Sequence, residues 1–82
     1  MATPGALAAL ERSGEDALLF LTRHGQCDWG EVCADDRKLN DDAVAHEGGR
    51  VLSAYSTNLG ERLWIITEAD RSATTLLLPD EY

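Results

Sequence analysis

The sequence predicts an α+β fold: a three-stranded antiparallel sheet, formed by a C-terminal meander, packed with two or three N-terminal helices. Three observations predict it. The chain has 82 residues, enough for a single small domain spanning 1–82 and too few for two independent cores. Helix caps and stops punctuate its first half. Short runs of branched and aromatic residues separated by polar turns fill the last third, the pattern of a meander. Helices gathered in one half and strands in the other imply α+β.

Thr3-Pro4 opens the first helix, because threonine caps well and proline is favoured at the first helical position. Leu7, Leu10 and the alanines supply its weak apolar stripe, and Ser13-Gly14 stops it. Asp16 to His24 reads as a second helix, with Leu18, Leu19 and Leu21 at helical spacing, Phe20 beside them and Gly25 as a stop. So short an apolar run also suits a buried strand, and periodicity alone does not separate the two. Gln26 to Gly30 is a turn holding Trp29. A third helix is expected from about Val32 to His46, ending at Gly48-Gly49. Its apolar positions, Val32, Leu39, Ala43 and Val44, give a narrow stripe, so most of its circumference faces water. Arg50 to Ser56, Glu61 to Thr67 and Ser72 to Leu78 are the strands. Thr57-Asn58-Leu59-Gly60 and Glu68-Ala69-Asp70-Arg71 are the turns between them, and Pro79 ends the last strand. In the second turn Asp70 is placed to accept from backbone amides and Arg71 to pair with Asp70 or Glu68. Trp64 lies mid-strand and belongs to the core or a sheet face. The outer strands of so small a sheet leave an edge on which a second copy could pair, so the expected state is a monomer or a weak homodimer.

Fifteen acidic residues against seven basic ones give a net charge of −8. That balance argues against direct binding of DNA, RNA or an anionic membrane, all of which repel it. The longest apolar run, Ala17 to Leu21, is far shorter than the roughly 20 residues a bilayer requires. The first sixteen residues lack a basic region and carry early acids, unlike a secretory signal. A cytoplasmic protein with Cys27 and Cys33 as reduced thiols is expected.

The charge is unevenly spread. Between residues 28 and 47 stand seven acids, Asp28, Glu31, Asp35, Asp36, Asp41, Asp42 and Glu47, opposed only by Arg37 and Lys38. On a helix Asp35 and Asp42 share a face, with Asp36 and Asp41 flanking it, and the four span roughly 9 to 10 Å. Duplex DNA carries a charge about every 1.7 Å of axis, so such a row is a sparse copy of a phosphate track. Adjacent like charges cost a helix a few tenths of a kcal/mol each, which invites a functional reason. The competing reading is a solvated helix face, with Asp35 and Asp36 favoured by the N-terminal end of the macrodipole. Asp41 and Asp42 sit beyond that help. Trp29 has two readings, an aromatic anchor for a partner or a pin that fastens its own loop to the core.

Two chemistries are weaker candidates. His24, Cys27, Cys33 and His46 are zinc-type ligands, but their spacing lacks the close cysteine pair typical of structural zinc. Ser53, Tyr55, the histidines and the carboxylates are nominal catalytic groups, yet none stands in a nucleophile elbow, P-loop or paired-histidine motif. The sequence therefore reads as non-enzymatic, with no catalytic residue, metal or cofactor.

The segments Arg23 to Gly30 (RHGQCDWG), Leu52 to Tyr55 (LSAY) and Trp64 to Tyr82 (WIITEADRSATTLLLPDEY) resemble a family of small bacterial proteins carried on plasmids, phages and integrated elements. Its members read R-H-x-x-G-D-W-G, then S-A-Y, then T-E-A-D-R-S-x-T-T-x-L-L-P-E-E-Y. Cys27 replaces the usual glycine, which predicts a differently shaped turn. The resemblance implies a contest with host defence, the setting of anti-restriction and anti-CRISPR proteins. The expected function is then an inhibitor that blocks target-DNA binding by a type I surveillance complex. Its DNA-mimicking acidic surface, Asp28, Trp29, Glu31, Asp35, Asp36, Asp41 and Asp42, would meet the basic protein surface of that complex. The alternative is an adaptor for maintenance of the mobile element, using the same face.

Overall fold

The computed structural model describes residues 1–46 and 48–82; Glu47, counted above among the acids, lies outside them. The elements run α1 (Pro4–Ser13), α2 (Ala17–Gly25), α3 (Ala34–His46), β1 (Val51–Ser56), β2 (Arg62–Thr67), β3 (Thr74–Leu77) and a closing 3₁₀ turn, Pro79–Glu81. The expected α+β architecture is present, with sheet order β1-β2-β3 and both pairings antiparallel. The third helix starts two residues later than its apolar pattern suggests, and each strand is trimmed at one or both ends.

Local chemistry accounts for the helices. The Thr3 hydroxyl accepts from the Ala6 amide, Pro4 takes the first helical position and Gly14 closes α1 with φ +72°. The Asp16 carboxylate caps α2 through the Leu18 amide at 3.0 Å. Across the register Ser53 faces Ile65 and Ile65 faces Leu76, while Tyr55 faces Leu63. Opposed residues share a face, so these line one side of the sheet. Ala6, Ala9 and Leu10 of α1 and Phe20 of α2 close over them as the main core. The alanines leave α1 little side-chain bulk between it and the sheet.

The orientation of α2 differs from its apolar pattern. Phe20 and His24 turn inward, whereas Leu18, Leu19 and Leu21 face outward. The helix α3 departs from expectation in part: Ala43 is buried as its apolar pattern predicts, but Leu39 and Val44 are exposed and Asn40 is turned inward. The reason is that α3 adjoins β1, whose edge presents peptide groups as well as side chains. The Asn40 carboxamide answers those groups: Nδ2 donates to the Leu52 carbonyl at 2.6 Å and Oδ1 accepts from the Leu52 amide at 3.0 Å.

Neither outer strand offers the open edge that the sequence suggests. On β1, Leu52 is paired with Asn40, while the Ala54 amide donates to Trp29 O and the Ala54 carbonyl accepts from the Glu31 amide. On β3, the Leu76 amide donates to Met1 O and its carbonyl accepts from the Thr3 amide. Residues 2 and 30 thus form single parallel bridges that cover both rims, a protection against edge-to-edge pairing.

The second turn also departs from expectation. Asp70 accepts from the Ser72 amide as predicted, but among the described residues Arg71 pairs with no acid. Its guanidinium reaches the carbonyls of Gly49, Glu68, Ala69 and Ala43, tying the turn to the end of α3. Trp64 stacks edge-on against Tyr82 at 5.9 Å.

Candidate functional site

The segment from residue 27 to 31 connects α2 to the rim of β1. Cys27, where the resembled pattern has glycine, has φ +63°, the left-handed conformation that glycine adopts at least cost. The Asp28 carboxylate accepts from Arg23 Nε at 2.8 Å and from the Gly30 amide, and its backbone carbonyl accepts from the Tyr55 hydroxyl. The Arg23 hydrogen bond holds the Asp28 carboxyl below the usual carboxylate range. Arg23 also lies over the Tyr55 ring at 4.5 Å. Gly30, at φ +71°, sits so close to β1 that a Cβ would stand 2.1 Å from the Ala54 carbonyl.

Trp29 is only 5% exposed and packs with Val32, Ala43 and Val51. Its indole meets His24 edge-on at 5.7 Å and donates to Asp41 Oδ1 at 2.9 Å. Of the two readings of Trp29, the buried pin is the one found; a ring so enclosed presents no anchor to a partner. His24 is itself buried. Its Nδ1 meets the Ser53 hydroxyl, and its Nε2 lies 2.8 Å from Thr67 Oγ1, which continues to Thr74 Oγ1 at 3.0 Å. Burial lowers the pKa of this imidazole. Ser53 is fully enclosed, so the pair fills the interior with satisfied polar groups. His24 and Ser53, candidates for catalysis by residue type, serve here as interior hydrogen-bonding groups; a buried polar chain that spans the sheet has no short motif to announce it.

The seven residues singled out as partner-binding are divided by α3 rather than gathered in one row. Asp36 and Asp42 line a hollow of about 470 Å³ together with Leu39, His46, Arg50 and Leu52. Asp28, Trp29 and Asp41 line a smaller one of about 200 Å³ with Arg37 and Cys27. Asp35 lines neither hollow, nor does Glu31. Helical phase explains the division. Asp36 and Asp41 are five residues apart, which puts them roughly 140° from each other around the axis.

The acids differ in their partners too. Asp28 is paired with Arg23, and Glu31 accepts from Ser56 and lies 4.0 Å from Arg62. Asp41 is engaged by Trp29. Among the described residues no ion pair or side-chain hydrogen bond includes Asp35, Asp36 or Asp42. No three His, Cys, Asp or Glu side chains among the described residues converge to hold a metal ion, so His24, Cys27, Cys33 and His46 are not brought together. No helix among them is long and apolar enough to cross a membrane. No protein-family model, curated protein or solved structure matches the chain.

Proposed function

We propose that the protein is a non-enzymatic binding module whose α3 carboxylates dock on a positively charged nucleic-acid-binding surface of another protein. The observation that supports this reading is the contrast in pairing. Among the described residues Asp28, Glu31 and Glu61 each lie against an arginine, whereas Asp35, Asp36 and Asp42 have none. A carboxylate already held by an arginine gives up that contact on docking, whereas Asp35, Asp36 and Asp42 gain new ion pairs on a basic surface. With only Asn40 and Ala43 turned inward, α3 offers most of its surface to that partner. Complementary charge speeds encounter and selects the surface.

In the mobile-element setting that the resemblance implies, the partner is the DNA-binding channel of a host defence complex in the cytoplasm, a type I CRISPR surveillance complex in particular. Occupation of that channel prevents target-DNA binding. Trp29 is no part of this surface, and Asp28 and Glu31 contribute at its border. The test is competition with target DNA for a purified surveillance complex. The wild-type chain displaces DNA, and the Asp35→Asn, Asp36→Asn, Asp42→Asn variant, which leaves the Trp29–Asp41 hydrogen bond in place, loses that capacity. Undiminished displacement by the variant overturns the proposal.

A further inference from the structure

The hollow of about 470 Å³ that holds Asp36 and Asp42 is not purely acidic: Leu39 and Leu52 form its walls, with Ala43 beneath them. Leu39 is 64% exposed, although the residues on either side of it in the chain are polar. Helical phase sets it between the two acids. With Asp36 as reference, Leu39 lies roughly 60° round the axis and Asp42 roughly 120° in the same sense. Asn40 and Ala43, which face the sheet, lie within roughly 40° of Asp36. Asp36 is accordingly half-buried, and Asp42 stands exposed at the outer rim. Gly49 approaches Ala43 and Leu52 pairs with Asn40, so β1 runs back along α3 and Arg50 stands at the end remote from Asp36. The Arg50 guanidinium lies over the Tyr82 ring at 5.1 Å and makes an ion pair with neither acid.

Two kinds of lining in one hollow call for an occupant with two parts. A half-buried carboxylate gives up hydration that a cation restores, and leucine walls bury alkyl groups. An inorganic cation answers the acids alone, and an apolar side chain answers the leucines alone. A long basic side chain answers both, with its methylenes along the walls and its charge at the acids. Of the two such residues arginine fits better. Its guanidinium is planar and weakly hydrated, and it lies against apolar surface while it bonds a carboxylate; the ammonium of lysine is compact and strongly hydrated. We propose that the hollow seats one arginine side chain of a partner protein, its stem on Leu39 and Leu52 and its guanidinium at the Asp36 carboxylate, with Asp42 attracting it at the rim. The proposal rests on the reading of α3 as the helix that docks on a basic surface, and it adds to that reading a pocket that recognises shape as well as charge. Arginine anchors seated in pockets carry a large share of the energy of many interfaces.

The test uses the full chain and three small probes, read by amide NMR shifts at low salt. The probes are n-butylguanidinium, with stem and charge; guanidinium, with charge alone; and n-butylurea, with a stem and no charge. At millimolar concentration n-butylguanidinium shifts the amides of residues 36–43 and 49–52 to saturation. It binds about tenfold more tightly than either other probe, the effect of burying roughly two methylene groups. Leu39→Ala, which alters an exposed side chain and leaves the circular dichroism spectrum unchanged, abolishes the advantage over guanidinium. The Asp36→Asn, Asp42→Asn variant abolishes the advantage over n-butylurea. Equal binding of the three probes, or saturable shifts confined to other residues, overturns the proposal. The DNA competition assay separates this failure from failure of the docking reading. Leu39→Ala keeps every charge, so it displaces DNA about tenfold less well with an unchanged salt slope. Full displacement by Leu39→Ala overturns the arginine pocket and leaves the docking reading standing. A wild-type chain that displaces no DNA defeats the docking reading alone, because the probes report on the hollow by themselves.

Discussion

The side chain of Asn40 occupies the place of a strand residue beside Leu52: its carboxamide closes a two-bond ring with the Leu52 amide and carbonyl, at 3.0 and 2.6 Å. This pairing holds the acidic helix against the sheet and completes the rim that Trp29 and Glu31 continue past Ala54. Truncation by Asn40→Ala strands both Leu52 groups in a partly buried position. Each unsatisfied group costs about 1–3 kcal/mol, so a loss of about 2–3 kcal/mol in urea unfolding is expected. Asn40→Asp keeps the acceptor, removes the donor and sets a carboxylate against a carbonyl, and it is at least as damaging. A neutral effect of both would show that α3 is held by other contacts.

Two neighbouring positions of left-handed backbone should respond in opposite directions to a change of side chain. Cys27→Gly relieves a conformation that costs an L-residue about 1–2 kcal/mol, partly offset by the greater freedom of glycine in the unfolded chain. A net gain of about 0.5–1 kcal/mol is expected. Gly30→Ala forces a methyl group into the Ala54 carbonyl and the Tyr55 ring and costs more than about 3 kcal/mol. Thermal melts of the two variants check the signs; a stable Gly30→Ala protein would contradict the close approach of this loop to β1.

The buried imidazole gives stability a dependence on pH. Burial lowers the His24 pKa from the ordinary 6.5, so the unfolded chain binds a proton at a pH where the native chain does not. Stability is full above the unfolded pKa and declines as pH falls from there through the folded value. His24→Gln, which preserves hydrogen-bonding capacity, flattens the decline between about pH 7 and 5. A second decline lies lower. Hydrogen bonds from Thr3 and the Leu78 amide hold Glu81 below 4.5, and Arg23 does the same for Asp28. Their contributions are present above the unfolded pKa and vanish as pH falls through the folded ones. Urea midpoints measured across this range for both proteins distinguish the two steps; identical profiles would place the first step elsewhere.

The elements and their order were legible in the sequence because caps and turn residues act locally. Thr3-Pro4, Asp16, Gly14 and Asp70 each do what their chemistry implies. The orientation of α2 and α3 was not legible. A pattern of leucines marks a stripe but not whether that stripe is the inward one, and Asn40 looks polar until its edge strand is present. The split of the acids around α3 follows from helical phase. It became visible only once Trp29 and Leu52 showed which side is which.

The most direct measurement of the central claim is the salt dependence of binding between this chain and a purified basic DNA-binding complex. The wild-type affinity should fall steeply as salt rises. The Asp35→Asn, Asp36→Asn, Asp42→Asn variant should bind more weakly at low salt and with a shallower slope. Equal affinities and equal slopes for the two proteins would contradict the role given to the α3 carboxylates.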